Sequence, residues 1–321
     1  MKKSILAGFG LLVSVYSAGA AQAVETTLTG FTLNANGTSL IVFDPTDPSA
    51  TTSIAVSGDA SRIDHIDFRP ATGELYGFDS ANDEYFIINP RTGVATRVDD
   101  GDVVGVQQSN NGDLDFNPTI DRARLVTAQD DNIVFNPNNG ATVRVTDLFY
   151  VEGDANEGAN PAIIGNAYTN NFDGATETTQ FVLDAGTDSL GILANNAGTI
   201  TSVADLTLDG NRVFFGLNGG FDILTLQVET EAQLNGSLDP NDGIDNIAYA
   251  LLFQGGLTSL FLVDLSSGAL DLIGSFNADL GNLRGLAIAN LPVPLPAAAP
   301  IFLLGAAGFG FAARGRKKAR G

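Results

Sequence analysis

The sequence feature that most constrains this fold is a turn motif that recurs along the chain. Asn89-Pro90-Arg91-Thr92-Gly93 follows one apolar segment, and Asn136-Pro137-Asn138-Asn139-Gly140 follows another one 47 residues later. Looser versions lie at residues 44–45, 195–198 and 264–268. Each version places turn-forming residues between two β-rich segments. A repeat of this size indicates a modular fold.

Each of the two best-preserved units contains four short segments with the composition and boundaries of β-strands. The segments of the first unit are 63–68, 74–78, 85–88 and 94–98. Those of the second unit are 114–116, 124–127, 133–135 and 141–145. Four-stranded units of about 40 to 50 residues, joined by Gly, Asn, Asp and Pro turns, are typical of β-propeller blades.

Two further units cover residues 163–203 and 221–273, and the unit nearest the N-terminus lacks an inner strand. Residues 283–288 have the pattern of such a strand and could complete that first unit, which would close the ring. The sequence therefore predicts an all-β, propeller-like domain of about five four-stranded blades. The range is five to seven, because residues 203–217 could belong to a sixth blade. A β-sandwich is the competing fold.

The first 23 residues have the three parts of a secretory signal peptide. A basic start, Met1-Lys2-Lys3, precedes a mostly apolar stretch at 5–16, and Ala21 and Ala23 are the small residues of a cleavage site. We expect a signal helix over 1–23 and a mature chain that begins at Val24. An uncleaved membrane helix is the alternative.

The last 31 residues form a three-part tail. A proline-rich stretch at 291–296 precedes 17 uncharged residues at 297–313, and five basic residues follow. A helix of that length reaches about 25 Å, against a hydrocarbon core of about 30 Å. We predict a membrane helix at 297–313 with its basic end on the cytoplasmic side. The domain itself then spans 24–290, and the tail spans 291–321.

Val293-Pro294-Leu295-Pro296-Ala297, followed by the apolar run and the basic end, resembles the VPLPA variant of the PEP-CTERM protein-sorting signals of Gram-negative bacteria. The resemblance implies export, transient anchoring in the inner membrane and processing by an exosortase-type enzyme. It also implies a final location at the cell surface or outside the cell, often beside extracellular polysaccharide. A plain C-terminal anchor is the alternative.

Composition excludes several kinds of chemistry. Residues 24–290 contain nine Arg, no Lys and 37 acidic residues, a net charge of −28, so nucleic acid is not an expected partner. The chain has no Cys and one His, which excludes thiolate nucleophiles and Cys- or multi-His metal centres. A hydrated acidic surface is the simplest explanation of the charge.

Asp67, Asp115 and Asp222 occupy equivalent positions on the inner strands of three predicted blades. Equivalent residues converge around the channel of a propeller, so these carboxylates could bind a cation or act as the acid and the nucleophile or base of a glycoside hydrolase. The alternative is that each accepts backbone N–H bonds from the turns of its own blade. His65 has no nucleophile elbow to serve and is interpreted as a structural or exposed residue.

Residues 239–246 are dense in oxygen ligands and resemble a calcium loop imperfectly. The candidate calcium ligands are Asp239, Asn241, Asp242 and Asp245. The alternative is a solvated acidic turn. Calcium is the one cofactor that the sequence suggests.

A second resemblance extends over nearly all of 27–289. Ile66-Asp67-Phe68-Arg69-Pro70, Leu114-Asp115-Phe116-Asn117-Pro118 and Gly220-Phe221-Asp222-Ile223 are similar to the domain-of-unknown-function family 4394. The resemblance implies secretion and a propeller-like fold, and it supplies no catalytic residues.

These patterns predict an exported cell-surface or extracellular-matrix protein with a non-catalytic binding or structural module. The expected partners are an exosortase-type processing enzyme, the inner membrane and extracellular polysaccharide. The alternative function is a secreted, carboxylate-dependent polysaccharide hydrolase.

Overall fold

The computed structural model describes residues 26–98, 111–227 and 244–292. Nearly all of them belong to one compact unit, Leu28–Leu291. The predicted signal helix, the tail helix at 297–313, the cleavage residues Ala21 and Ala23 and the motif at 293–297 lie outside the described residues. Within the described ranges, no helix has the length and apolarity needed to cross a membrane.

The described residues form short β-strands and two 3₁₀ helices, Asn195–Ala197 and Ala278–Leu280. In chain order the strands are β1 (Thr26–Leu33), β2 (Ser39–Asp44), β3 (Asp47–Ala55), β4 (Ser57–Gly58), β5 (His65–Arg69), β6 (Glu74–Asp79), β7 (Glu84–Ile88), β8 (Val94–Arg97), β9 (Gly112–Asn117), β10 (Arg122–Thr127), β11 (Asn132–Phe135), β12 (Thr142–Arg144), β13 (Phe149–Tyr150), β14 (Ile163–Tyr168), β15 (Gln180–Asp184), β16 (Ser189–Leu193), β17 (Thr199–Asp205), β18 (Thr207–Leu208), β19 (Asn211–Arg212), β20 (Gly219–Gln227), β21 (Ile244–Gln254), β22 (Leu257–Val263), β23 (Ala269–Ser275) and β24 (Arg284–Pro292).

These strands form five sheets, which are the five blades of a β-propeller. From the axis outward, the strand orders are β24-β1-β2-β3 in blade I, β5-β6-β7-β8-β4 in blade II, β9-β10-β11-β12 in blade III, β14-β15-β16-β17-β13 in blade IV and β20-β21-β22-β23-β18-β19 in blade V. The innermost strands β5, β9, β14 and β20 contact one another in turn. The predicted all-β propeller of about five blades is confirmed.

Blade I is completed by the end of the domain, as the sequence predicts. β24 lies beside β1, so the last described strand pairs with the first. The Thr32 hydroxyl of β1 donates a hydrogen bond of 3.0 Å to the Arg284 carbonyl of β24. The ring is therefore closed by hydrogen bonds between the two ends of the domain.

Residues 203–217 do not begin a sixth blade. They finish β17 in blade IV and then supply β18 and β19 at the outer edge of blade V. β18 runs parallel to β23, with Thr207 opposite Ala269. The segments that enter blades II and IV do the same through β4 and β13. In each of these three blades, the entering segment extends the sheet.

Glycine in the recurrent turn permits this addition. Gly198 and Gly268 end their turns with φ values of 70° and 67°, a region that L side chains rarely adopt. A Cβ atom at Gly198 would lie 2.3 Å from the Asp147 carbonyl oxygen of the entering segment, and one at Gly268 would lie 2.6 Å from the Asp205 carbonyl. The glycine therefore makes room for the connection between blades as well as for the turn.

The hydrophobic core lies between neighbouring blades. Phe221 and Ile223 of β20 pack with Ile164 of β14 and Leu183 of β15 in one buried cluster. The inner strands β5, β9 and β14 are buried at every position. Any polar group on these strands must therefore find a partner inside the protein.

Candidate functional site at the propeller axis

Three Asp residues occupy one equivalent position on the inner strands. They are Asp67 on β5, Asp115 on β9 and Asp222 on β20, and blades IV and I have Ala167 and Ala287 there. Each Asp accepts a hydrogen bond from the backbone N–H of the residue after this position in the next blade. The donors are Phe116 at 3.0 Å for Asp67, Tyr168 at 3.0 Å for Asp115, and Ile288 for Asp222.

Each of these hydrogen bonds crosses to a neighbouring blade. The alternative interpretation of the sequence placed the donors in the turns of the Asp's own blade. The innermost strand of a blade has a partner strand on one side only. Its N–H groups on the other side face the axis and would be buried without acceptors. The inner strand of the preceding blade supplies those acceptors, so the three Asp side chains tie blades II to III, III to IV and V to I.

Asp113 is a fourth buried carboxylate of this kind, and the sequence reasoning missed it. Its Oδ2 accepts the N–H of Asn166 at 3.2 Å and that of Phe221 at 2.9 Å, so it joins blade III to blades IV and V. Asp113 lies two residues before Asp115, and a strand period of two places both side chains on the same face. That spacing was the available signal.

The counterparts of Asp113 in the next three blades are glycines. Gly220 and Gly285 lie so close that a Cβ atom at Gly220 would be 2.6 Å from the Gly285 carbonyl carbon. A Cβ atom at Gly165 would be 2.6 Å from Cβ of Phe221. This close approach of the inner strands lets one carboxylate reach the backbone of two other blades.

The four axial carboxyl groups lie in a strongly desolvating environment. Asp67, Asp113, Asp115 and Asp222 are each at most 2% exposed. Burial raises the pKa of all four, and to about 7 for Asp222. Repulsion by the neighbouring carboxylates raises the pKa values of Asp67 and Asp115 further. In the described part of the chain, none of the ion pairs involves these four groups.

The structure therefore brings Asp67, Asp115 and Asp222 together at the axis. The carboxyl group of Asp67 lies close enough to Asp115 for its charge to raise the pKa of Asp115. Oδ1 of Asp115 and Oδ1 of Asp222 are buried and have no hydrogen-bond partner. Across the three described ranges, no group of three or more acidic or His side chains is arranged to hold a metal ion. This cluster can accept N–H bonds and bind protons.

The junction between blades I and II uses a charged pair. Arg284 at the start of β24 donates from Nη1 to Oδ1 of Asp64 at 3.1 Å, and Arg62 pairs with the same oxygen. Burial acts to raise the pKa of Asp64, but the charge of His65 and hydrogen bonds from Ser80 and Arg62 lower it overall. The closing junction thus depends on an ionised carboxylate, whereas burial favours protonated carboxyls at the axis.

His65 lies on β5 and is buried, with 1% of its surface exposed. Its ring stacks on Phe78 with 6.3 Å between ring centroids. These contacts place the one His of the chain in the packing between β5 and β6.

The predicted calcium loop falls largely outside the described residues. Asp239, Asn241 and Asp242 lie there, while Asp245 is exposed on β21 opposite Leu226. The next residue, Asn246, accepts the Asn170 N–H at 2.8 Å and joins blade V to blade IV. The calcium site stays a prediction.

Two shallow grooves occupy the same position on blades II and V. Each is bounded by the start of the second strand, the end of the third strand, the turn after it and the fourth strand. The groove on blade II has a volume of about 550 Å³ and is lined by Leu75, Ile87, Pro90, Thr92 and Thr96, among others. The groove on blade V has a volume of about 320 Å³.

Comparison with solved structures finds distant relatives. A protein of unknown function from Bacteroides caccae is 10% identical, with a TM-score of 0.43 over 82% of this chain and 98% of that one. An auxiliary nutrient binding protein from Bacteroides ovatus is 13% identical, with a TM-score of 0.39 over 81% and 58%. The gluconolactonase XC5397 from Xanthomonas campestris is 13% identical, with a TM-score of 0.38 over 84% and 85%. Likeness at this level gives no basis for transferring a function.

No curated protein matches the chain. One family model does match, over residues 39–287, which span β2 to the middle of β24 and include all four axial Asp residues. The chain belongs to that family, which is described as a domain of unknown function, DUF4394.

Proposed function

We propose that this protein is an exported β-propeller that acts at the cell surface or in the extracellular matrix as a non-catalytic binding or structural module. The observation that carries the proposal is the engagement of the axial carboxylates. Asp67, Asp115 and Asp222 each accept a backbone N–H bond from the next blade and are almost fully buried. A glycosidase needs two carboxyl groups that flank the bond to be cleaved, and a polymer cannot reach side chains in this position.

Two features of the sequence support export. The first 23 residues have the form of a signal peptide, and residues 293–297 with the tail behind them resemble a VPLPA sorting signal. On this proposal the tail holds the chain in the inner membrane until an exosortase-type enzyme processes it. The propeller is then released to the surface or to the extracellular space.

The grooves on blades II and V are the places where we expect an extended ligand to bind. The groove on blade II combines apolar walls from Val94 and Pro90 with the hydroxyl groups of Thr92 and Thr96. Apolar walls with a few hydrogen-bonding groups suit sugar rings. The net charge of −28 over 24–290 opposes polyanions. The proposed ligand is therefore a neutral or cationic extracellular polysaccharide.

A binding assay with simultaneous detection of cleavage tests this proposal. We expect full-length protein to sediment with a neutral polysaccharide without releasing reducing ends. Thr96→Arg should weaken binding because it fills the groove on blade II, and Thr52→Arg on exposed β3 adds the same charge elsewhere and serves as the control.

Release of reducing ends by the wild type, lost in Asp115→Asn or Asp222→Asn protein of unchanged circular dichroism, would replace the proposal with the hydrolase. Equal binding by the Thr96→Arg and Thr52→Arg variants would show that the groove on blade II is not the binding site. If the protein binds no polysaccharide in a panel of neutral and cationic polymers, the binding module is excluded and only a structural module remains.

A further inference from the structure

We propose that the propeller axis binds protons as part of the native fold. The carboxyl groups of Asp67, Asp115 and Asp222 hold at least one proton at neutral pH, so the ring is tightest in mild acid and loosens as the solution becomes alkaline. This inference concerns the fold of the domain, and it stands whether or not the domain binds polysaccharide.

Asp67 and Asp115 are buried carboxyl groups on neighbouring inner strands that contact each other, β5 and β9. Asp67 accepts the N–H of Phe116, the residue directly after Asp115, and Asp115 accepts the N–H of Tyr168. Two like charges that lie close together in a buried site repel each other strongly. A proton on one of the two carboxyl groups removes this repulsion.

Two buried carboxyl oxygens at the axis lack a hydrogen-bond partner. Oδ1 of Asp115 and Oδ1 of Asp222 receive no hydrogen bond, and both residues are at most 2% exposed. An ionised carboxylate with an unsolvated oxygen in such a position is costly, whereas the neutral acid is tolerated. Protonation of the carboxyl group removes this cost.

Other titratable groups lie near the cluster on the surrounding strands. Asp113 on β9, Tyr168 on β14 and Tyr249 on β21 interact electrostatically with Asp67, Asp115 and Asp222, respectively. His65 on β5 and Arg284 on β24 both act on Asp64, and Arg284 does so through a salt bridge of 3.1 Å. Arg124 donates one hydrogen bond from each of its three nitrogens, to Tyr168, Asn132 and Asn196. The two arginines are therefore engaged elsewhere, and Asp113 adds a further carboxyl group.

The sign of the pH effect follows from burial. The pKa of Asp222 is raised to about 7, and those of Asp67, Asp113 and Asp115 are raised well above the usual range. A raised carboxyl pKa in the folded state means that the native protein holds protons that the unfolded chain releases. The stabilising contribution is complete below the unfolded pKa of about 3.8 and is lost as the pH rises through the folded value.

Denaturant unfolding of the full-length protein between about pH 5 and about pH 8 tests the proposal. We expect the unfolding equilibrium constant of the wild type to rise about tenfold per pH unit for each proton released. Asp222→Asn keeps an acceptor for the Ile288 N–H and should reduce this slope by about one proton. Asp271→Asn removes the same charge from an exposed position on β23 and should leave the slope unchanged.

Infrared spectroscopy of the native protein gives a second measurement that does not depend on unfolding. We expect a protonated-carboxyl band at neutral pH that weakens in Asp222→Asn and, if that variant does not fold, in Asp115→Asn. Wild-type stability that is flat or rising from mild acid to mild alkali would overturn the proposal. So would identical slopes for Asp222→Asn and Asp271→Asn, or a native spectrum without the band.

Discussion

Single Asp residues connect the blades by accepting N–H groups that would otherwise be buried without partners. Asp67, Asp115 and Asp222 each satisfy one such donor in the next blade, and Asp113 satisfies two. A repeated Asp in a repeated unit is often a sign of a shared ligand. Here the repetition has a structural cause, because every blade exposes the same inner edge to its neighbour.

Removing the Asp113 carboxyl group should destabilise the ring more than removing its charge. Asp113→Ala leaves the N–H groups of Asn166 and Phe221 without an acceptor. The expected cost is about 2 to 6 kcal/mol, since each buried unsatisfied donor costs about 1 to 3 kcal/mol. Asp113→Asn keeps one acceptor oxygen and should cost less. Guanidinium unfolding of both variants at mildly acidic pH measures their free energies of unfolding. Equal losses of stability in the two variants would contradict the role of Asp113 as a hydrogen-bond acceptor.

The sequence identifies three of the four axial residues, but it does not identify what they contact. Asp67, Asp115 and Asp222 are recognisable because they share a position in a repeat. Asp113 has glycine counterparts in blades IV, V and I, so no repeat marks it. The donors of all four lie in other blades, some 49 to 108 residues away. The alternating pattern of a strand predicts which residues lie on the same face of the sheet. It does not predict which strand of another blade packs against that face.

At the level of strands, three of the connections between blades also add a strand to a sheet. The segments entering blades II, IV and V each add a two-residue parallel strand to the outer edge of the sheet that they enter. Four-strand units were predictable from alternating apolar positions and turn residues. Two-residue strands were not, because a segment such as Ser57–Gly58 is too short to carry a periodicity.

The closing strand β24 should be essential for a cooperative fold. A chain that ends after residue 282 lacks β24, so blade I keeps three strands and Asp222 loses its Ile288 donor. It also loses Leu286 and Ala287 from the core. We expect a broad, non-cooperative thermal transition and rapid proteolysis.

The matched control ends after residue 292, which retains β24 and removes only the tail. This chain should melt cooperatively, like the full-length protein. If both truncated chains melt at the same temperature, ring closure by β24 is not required for stability.

Over the whole molecule, acidic residues act in two opposite ways. The hydrogen bond from Arg69, which joins blade II to blade III, lowers the pKa of Asp121. Asp121 therefore contributes stability above its unfolded pKa, and that contribution is lost as the pH falls through the folded value. The axial carboxyls act in the reverse direction. The two together place maximum stability in mild acid, between the ranges where each contribution is lost.

The location of the whole protein should depend on the proposed sorting motif. We expect the wild type in the surface or extracellular fraction of its native host. Pro294→Ala combined with Pro296→Ala should retain the protein in the inner membrane, because the processing enzyme no longer recognises the tail. Immunoblotting of cell fractions measures this, and Ile301→Leu in the apolar run serves as the control. Identical distributions for all three proteins would contradict the sorting role.

The pairing of β24 with β1 also fixes the order in which the molecule can be completed. The Thr32 hydroxyl bonds to a carbonyl 252 residues later in the chain, so the ribosome has made four other blades before this contact can form. Until then, the apolar residues Phe31 and Leu33 of β1 lack the strand that covers them. The contact that synthesis permits last therefore also closes a loop of 252 residues, and we expect a nascent chain to be most exposed to misassembly just before it forms.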